Sequence, residues 1–463
     1  MKDIGLGDNF NKIDNTGSDS ALKRRAKGGF NLDSWNLIFV LAGVLLISVI
    51  GMIVFGYKNE QVSADDVSPE AEAVDWEEAE SQEVEASSEG SFNPEQLDQN
   101  NEAIAKAWEE EMAEDVKVVV DENGNEVLMN LNKSPANYGY VDDRQYIEPL
   151  NPEDVSPISG LPCDKKENKD RRPIAVMLSA DKAVRPLSGI GEADMVFEMQ
   201  VISGTITRLM PVFVCNSPKE IGSIRSARHD YISLAKGVDA MLAHWGGSHF
   251  ALDYLKNRET VPDLDALKNP YGAFFRKSAI RMPHNGFASY NGLFEAARKM
   301  GYRLENKFEG YPHRAESKRE SRGSAGHLYV GLPGICKVSY DYDPNTNSYL
   351  RYWNNIADTD KLTGKRLAPK NVVIVFAKSR QIEGQYNDVD IEGEGEMRAF
   401  IEGREFKGKW IKEKNDCVIG DDLVCVSGDR MRFVKDDGEE LEFVPGQIWV
   451  EVLDPGQKVI WKN

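Results

Sequence analysis

The sequence predicts an α/β domain followed by an all-β domain, preceded by one transmembrane helix and an acidic disordered tether. Three observations lead to this prediction: a run of 23 uncharged residues near the N-terminus, a tract with only one sign of charge, and the loss of helical periodicity beyond Cys336. Without the anchor and its flanks, about 300 residues remain, which is enough for two domains of ordinary size.

The uncharged run spans residues 35–57 and is long enough to cross the apolar core of a bilayer as a helix. Lys23, Arg24, Arg25 and Lys27 lie shortly before it, whereas residues 59–105 contain no Lys or Arg. This asymmetry predicts that residues 1–34 form a cytoplasmic tail and that the main domains lie outside the cytoplasm, in a single-pass protein of the cell membrane.

A cleaved signal peptide is the alternative interpretation of this run. The apolar stretch is longer than the usual signal-peptide core, and no clean small-x-small cleavage site follows it, so we favour an uncleaved anchor. No cysteine precedes Cys163, which argues against a lipid-modified cysteine as the tether.

Residues 58–155 are predicted to form an acidic linker. Residues 59–105 carry 15 Asp/Glu, which predicts an extended, self-repelling chain that is either a spacer from anionic surfaces or a plain solvated stalk. Ile104, Trp108 and Met112 recur at helical spacing, and residues 118–129 resemble a hairpin. The net charge of −20 is not uniform, because residues 155–330 carry 26 Lys/Arg against 19 Asp/Glu.

Residues 156–332 are predicted to form the α/β domain. The apolar runs RPIAVML, DMVFEMQV, TRLMPVFV and VDAMLAHW have the pattern of strands, and helical stretches are expected at 228–236, 249–257 and 290–300. Such alternation is typical of a layered α/β fold.

Residues 333–463 are predicted to form the all-β domain. Eight short strand-like runs follow one another between Gly, Asn and Asp turns: KVSYDY, YLRYW, NVVIVFA, EMRAFIEG, FKGKWIK, MRFV, IWVEVL and KVIW. This spacing is typical of a sandwich or a small barrel.

The main candidate site is a group of arginines, small polar residues and glycines within the α/β part. Its members are Arg208, Arg225, Ser226, Arg228, His244, Gly246, Gly247 and Ser248. Guanidinium groups match carboxylate and phosphate oxygens, and a Gly-Gly-Ser turn before a helix offers backbone N–H groups to an anion. In the alternative, structural interpretation the arginines pair with Asp194, Glu198, Asp230 or Asp239 and Ser248 only caps its helix.

A loop adds three further candidates for binding the same ligand: Arg276, His284 and Asn285. His284 could act as a general acid or base, or it could be a hydrogen-bonded loop residue. No catalytic residue and no cofactor can be identified. We expect no metal site, since His244, His249 and His284 lack ligand spacing, and no serine-hydrolase elbow, since the second glycine is missing after Ser248.

The five cysteines are an odd number, so at least one is unpaired within the chain. Cys417 and Cys425 are close enough in sequence to form a bridge across a hairpin, although the sequence leaves open whether they do. Such sparse use of cysteine fits a protein outside the cytoplasm that relies on its core.

Several motifs resemble the YerB-like family: SPISGLPC, RRPIAVML, GTITRLMPVF, IGSIRSARHDY, DAMLAHWGGS and RMPHNGF in the α/β part, with GKRLAPKNVVIVF and LEFVPGQIWVEVL in the β part. The resemblance covers roughly residues 156–463. It implies a bacterial envelope protein with a two-part domain of unknown function. Recurrent family positions correspond to the arginines, His244, the glycine pair and the Pro283–Asn285 loop, without an established catalytic role.

Three functional hypotheses remain. The first is an envelope protein that binds an anionic ligand, such as a cell-wall polymer, or a partner protein through the arginine cluster. The second is a phosphotransferase that acts on polymers linked to a lipid pyrophosphate, by analogy with LytR-type enzymes. The third is a scaffold that docks another membrane protein. Nucleic acid is excluded as a partner because the cationic block should lie outside the cytoplasm.

Overall fold

The computed structural model describes strands at 116–120 and 126–130 and residues 155–163, 165–257, 261–332, 336–384, 386–413 and 429–463. The predicted transmembrane helix, the acidic tract, the short helix at 104–112 and the pair Cys417 and Cys425 lie outside these residues. Within the described ranges, no helix has both the length and the apolar character needed to cross a membrane.

The described residues are rich in β-structure. In chain order the strands are β1 (Val116–Val120), β2 (Glu126–Asn130), β3 (Ile174–Val176), β4 (Leu178–Ser179), β5 (Met195–Ile202), β6 (Ile206–Phe213), β7 (Ile221–Gly222), β8 (Met241–His244), β9 (Asp263–Asp265), β10 (Phe274–Arg276), β11 (Gly286–Ala288), β12 (Gly326–Val330), β13 (Val338–Asp343), β14 (Ser348–Trp353), β15 (Ile356–Ala357), β16 (Asn371–Phe376), β17 (Ser379–Glu383), β18 (Tyr386–Val389), β19 (Gly393–Ile401), β20 (Arg404–Lys412), β21 (Arg432–Lys435), β22 (Ile448–Leu453) and β23 (Val459–Lys462).

Within the described residues the α-helices are α1 (His229–Gly237), α2 (His249–Asn257) and α3 (Tyr290–Lys299). Each lies within one residue of its predicted bounds. Ser289 caps α3 by accepting a hydrogen bond from the Gly292 amide, which satisfies one of the free donors at the start of the helix. Short 3₁₀ turns occur at Lys166–Asp170, Lys182–Val184, Ile190–Glu192, Pro270–Gly272 and Arg319–Ser321.

A single large sheet forms the centre of the fold. Its main order is β21-β20-β19-β16-β22-β5-β6-β3-β8-β9, with β4, β17 and β18 attached beside it. Four neighbouring pairs are parallel: β16 with β22, β22 with β5, β3 with β8, and β8 with β9. The sheet is therefore mixed, and both of its faces are covered.

Strand alternation decides which side chains enter each core. On β5, Phe197 and Met199 pack into one cluster, whereas Val196 packs with Leu209 and Trp449 on the opposite face. A second sheet, in the order β15-β14-β13-β12-β23, packs through its own apolar side chains against Val372 and Ile374 of β16.

The predicted arrangement of an α/β domain followed by an all-β domain is not confirmed. Strands β16, β19, β20, β21 and β22 belong to the same sheet as β5 and β6, and β22 lies directly between β16 and β5. The individual strands were predictable because their period is local. Their partners were not, since a pairing between β5 and β22 joins residues about 250 positions apart in the chain, and strand period carries no information on partner choice.

A buried group of charges connects the two sheets. The Arg351 guanidinium on β14 donates to Glu198 of β5 at 2.5 Å and also pairs with Asp358. Arg185 donates to the same Asp358 carboxylate at 2.7 Å, and the Thr207 hydroxyl donates to Glu198 at 2.6 Å. Arg351 and Glu198 are fully buried, so these contacts replace hydration that both groups lose on folding.

Glu451 of β22 completes this group. The Tyr340 hydroxyl donates to its Oε1 atom at 2.5 Å. Burial, together with the neighbouring Glu198 charge, raises the pKa of Glu451 to about 8. This shift favours the neutral form of Glu451, so that Arg351 and Arg185 are paired chiefly with Glu198 and Asp358.

The structure also contains a disulfide that sequence spacing did not suggest. Cys163 and Cys215 are joined although they are 52 residues apart, and Cys336 is a buried free thiol. The bridge ties the segment before β3 to the segment after β6, at the end of two strands that are already paired.

We predict that Arg351→Met lowers the free energy of unfolding by about 3–5 kcal/mol, because it leaves Glu198 and Asp358 buried without their shared cation. Chemical unfolding followed by tryptophan fluorescence measures the change. The matched control is Arg298→Met, which removes an exposed helix-surface arginine paired with Glu295 and should have little effect. Equal stability of the two variants would show that the buried pairing is not needed.

Candidate functional site

The predicted arginine segment crosses the carboxyl ends of the parallel strands β3 and β8. The Arg225 amide donates to Met177 O at 2.9 Å, just beyond β3, and its carbonyl accepts from the Trp245 amide at 3.0 Å, just beyond β8. The Ala227 amide donates to Gly246 O at 2.9 Å. The crevice at the carboxyl ends of parallel strands is where open α/β sheets bind ligands.

The Gly246–Ser248 turn holds this segment in place. Gly246 has φ of 65°, a left-handed conformation that favours glycine, and its amide donates to Asp265 Oδ1 at 3.0 Å. A Cβ atom on Gly247 would lie 3.2 Å from Ala227 O. The Ser248 amide donates to Ala227 O at 3.1 Å, and its hydroxyl accepts from the Ala251 amide at 3.2 Å.

Two of the backbone N–H groups that were predicted to bind an anion therefore already donate hydrogen bonds within the protein. Gly246 N–H binds Asp265, and Ser248 N–H binds Ala227. Any anion at this crevice must consequently be recognised by side chains more than by this turn.

His244 is a buried support of the turn. Its Nδ1 atom lies 2.7 Å from Gly246 O and its Nε2 atom 3.3 Å from Asp263 Oδ2. Both neighbours are acceptors, so a ring nitrogen of His244 that carries a proton has a partner on either side. Burial acts to raise the pKa of Asp263, but the hydrogen bond and charge of His244 outweigh it and lower that pKa.

Arg208 and Arg228 are almost entirely buried. Arg208 Nη1 donates to Ser226 O at 2.9 Å, which fixes the half-buried Ser226, and the Arg228 guanidinium lies 5.1 Å from the centre of the Tyr386 ring. Arg225 is 8% exposed. Of the three, Arg208 has the clearest structural role, because it braces the arginine segment against β6.

The second predicted cluster meets the first. The Ile224 amide donates to Gly286 O at 2.8 Å, and the exposed Arg276 guanidinium lies 4.2 Å from the centre of the Trp245 ring. Arg276 also donates to Asn285 Oδ1 at 2.6 Å. His284 and Asn285 are mostly buried. The structure thus brings Arg225, Trp245, Arg276 and Asn285 together at the carboxyl ends of β3 and β8.

A third group of polar side chains was missed by the sequence reasoning. His229, the first residue of α1, places its Nε2 atom 3.3 Å from Asp230 Oδ1 and 3.2 Å from Asp388 Oδ1. Burial raises the pKa of Asp230 to about 6, whereas the Asp388 hydrogen bond and the two carboxylate charges overcome burial and raise the pKa of His229. Asp388 follows His229 by 159 residues, so no local motif could reveal the group.

The histidines that were considered for a metal site lie in separate environments. His244 is enclosed with Asp263, and His249 is exposed and lies 3.1 Å from Glu383. Within the described residues, the group of His, Cys, Asp and Glu atoms close enough to share one ion is His229, Asp230 and Asp388.

Comparison with known proteins assigns a family. The family described as "Protein of unknown function (DUF3048)" matches with its N-terminal domain at residues 158–303 and its C-terminal domain at residues 332–450. The protein named "Putative lipoprotein YerB" from Bacillus subtilis (strain 168) is 29% identical over 301 residues, which is 64% of this chain and 86% of that protein. The chain belongs to the YerB-like family.

A solved member of the YerB-like family shares the fold. The crystal structure of the YerB protein from Bacillus subtilis matches with a TM-score of 0.58 and 28% identity, over 67% of this chain and 99% of that chain. The predicted family membership is confirmed. The biochemical role of the YerB-like family is described as unknown, so the site must be interpreted from its own chemistry.

We predict that Gly286→Ala destabilises the protein and displaces Trp245. A Cβ atom at this position would lie 2.4 Å from Cε3 of the Trp245 ring, so the indole that supports Arg276 must move. Overpacking of this kind lowers the free energy of unfolding by about 1–3 kcal/mol. Thermal unfolding and tryptophan emission measure the two effects. Unchanged emission together with unchanged stability would contradict the close packing of Trp245 on Gly286.

Proposed function

We propose that this protein is anchored in the cell membrane through residues 35–57 and presents its folded part outside the cytoplasm, where it binds an anionic ligand. The uncharged run and the cationic residues before it support the anchor and its orientation. The Cys163–Cys215 bridge supports an oxidising compartment. The Bacillus subtilis relative carries the name "Putative lipoprotein YerB", which agrees with a membrane tether.

The contact between the two arginine-bearing clusters is the observation that carries the binding proposal. Arg225 and Arg276 come from segments about 50 residues apart, yet both flank Trp245 at the carboxyl ends of β3 and β8. The exposed Arg276 guanidinium beside the Trp245 ring suits phosphate or carboxylate groups, and the mostly buried Arg225 adds positive charge next to it. The ligand class is therefore a phosphate-bearing or carboxylate-bearing envelope molecule, such as a wall polymer or a lipid pyrophosphate.

A phosphotransferase acting on polymers linked to a lipid pyrophosphate is the second candidate function. One observation favours it: His229, Asp230 and Asp388 form an acidic group directly beside Arg228. Phosphoryl transfer depends on cations that neutralise charge on the transferred group, and these are supplied by arginine and a bound metal ion.

The binding proposal predicts that pyrophosphate stabilises the full-length protein in detergent. A ligand present at 100 times its Kd raises the free energy of unfolding by about 2.7 kcal/mol, which thermal unfolding detects. The combined substitutions Arg225→Ala and Arg276→Ala should abolish this stabilisation. The matched control Arg404→Ala removes an exposed arginine at the start of β20, far along the sheet order, and should retain it.

Two sets of ligands distinguish the possible sources of the anion. Inorganic pyrophosphate and undecaprenyl pyrophosphate test a lipid-linked group, and fragments of wall polymer test a carboxylate or phosphodiester. Absence of stabilisation by all of them in the wild-type protein would contradict anion binding and favour the scaffold hypothesis.

A further inference from the structure

The atoms of His229, Asp230 and Asp388 are spaced like the ligands of a small metal ion. Metal–ligand distances of about 2.0–2.2 Å give edges of about 3.3–3.6 Å in a tetrahedral site. His229 Nε2 lies 3.3 Å from Asp230 Oδ1 and 3.2 Å from Asp388 Oδ1, and the three ligand atoms lie within 4.8 Å of one another. The three side chains could therefore bind one ion with little movement.

The hydrogen bonds within this group leave some of its polar atoms without a full partner. A single ring nitrogen of His229 faces two carboxylate oxygens, and one N–H group can donate fully to only one of them. Asp230 is 5% exposed, and its Oδ1 atom accepts from the Val389 amide at 3.1 Å. Its Oδ2 atom is buried and has no hydrogen-bond partner. A buried carboxylate oxygen without a donor is unfavourable, and a cation bound by the same carboxylate would offset part of that cost by neutralising its charge.

Neighbouring groups hold the carboxylates in orientation. The Val389 amide positions Asp230, and the Arg380 guanidinium pairs with the Asp388 oxygen that does not face His229. Such outer contacts are characteristic of metal sites, where they fix the direction of the ligands. His229 and Asp230 belong to α1 and Asp388 belongs to β18. The hydrogen bond from the Val389 amide to Asp230 joins these two elements.

We propose that His229, Asp230 and Asp388 bind one divalent transition-metal ion of the zinc class. One imidazole and two carboxylates are ligands that such ions accept, and three protein ligands leave one coordination position open. Arg228 precedes His229 directly, with its guanidinium over the Tyr386 ring. An open metal position beside an arginine suits a phosphate or carboxylate oxygen. This proposal stands independently of the anion crevice at Arg225 and Arg276.

The test uses the full-length protein in detergent, stripped with a chelator and titrated with ZnCl2 in a calorimeter. We expect one equivalent to bind at a site that Asp388→Asn weakens by at least about tenfold. The control Glu383→Gln removes a carboxylate on β17, the partner strand of β18, and should leave this affinity unchanged. Thermal unfolding without metal confirms that both variants fold, since Asp388 and Glu383 are partly exposed.

Substitution with CoCl2 identifies the ligands independently. A visible absorption band typical of nitrogen and oxygen ligands, lost in Asp388→Asn and in His229→Ala, supports the proposal. A thiolate charge-transfer band would assign binding to cysteines instead and overturn it. Equal zinc affinity in the wild type and Asp388→Asn, or no binding by the wild type, would also overturn it.

Discussion

The buried pairing of Arg351 with Glu198 and Asp358 is the constraint on which the rest of the structure depends. Arg351 belongs to the five-stranded sheet, and Glu198 belongs to the centre of the large sheet. Charges removed from water are tolerated only with close partners, so the two sheets are required to meet in one register. The raised pKa of Glu451 fits this requirement, because a third negative charge beside Glu198 is unfavourable.

The site depends on the same central strands. β5 and β6 carry Glu198 and Arg208, and Arg208 in turn holds Ser226 at the crevice. The Tyr231 hydroxyl donates to Arg208 O at 2.5 Å and accepts from the Met199 amide at 3.0 Å, which ties α1 to these strands. β18 pairs with β5 through Tyr386 and Ile202, and this contact brings Asp388 to α1. The crevice and the His229 group therefore lie in fixed positions relative to the ion pairs.

Local features were readable from the sequence, whereas long-range ones were not. The period of apolar residues predicted α1, α2 and α3 and most strands within a few residues, because period follows from backbone geometry. The location of Gly246 at a strand end was also predictable, since it follows the apolar run that forms β8. The engagement of Gly246 N–H by Asp265 was not, because β9 lies beyond α2 and its parallel pairing with β8 has no signature in the sequence.

The absence of long-range information in the local sequence pattern also explains why the disulfide, the His229 group and the shared sheet were not predicted. The Cys163–Cys215 bridge and the partnership of His229 with Asp388 both join distant segments that only the folded sheet brings together. The division at residue 332 followed a real change in the local pattern of apolar residues, but strands β16 to β22 beyond it belong to the same sheet as β5 and β6. The local pattern of apolar residues depends on the neighbours of a residue along the chain and carries no information about its neighbours across the sheet.

Native-state hydrogen exchange of the full-length protein tests most directly whether the folded part is one cooperative body built on the shared sheet. Peptides that cover β6 and β8 can be compared with peptides that cover β16 and β19 by mass spectrometry. The account predicts that the most protected amides in both sets exchange with the same free energy of opening. A much lower free energy for β16 and β19, with β6 and β8 still protected, would contradict it.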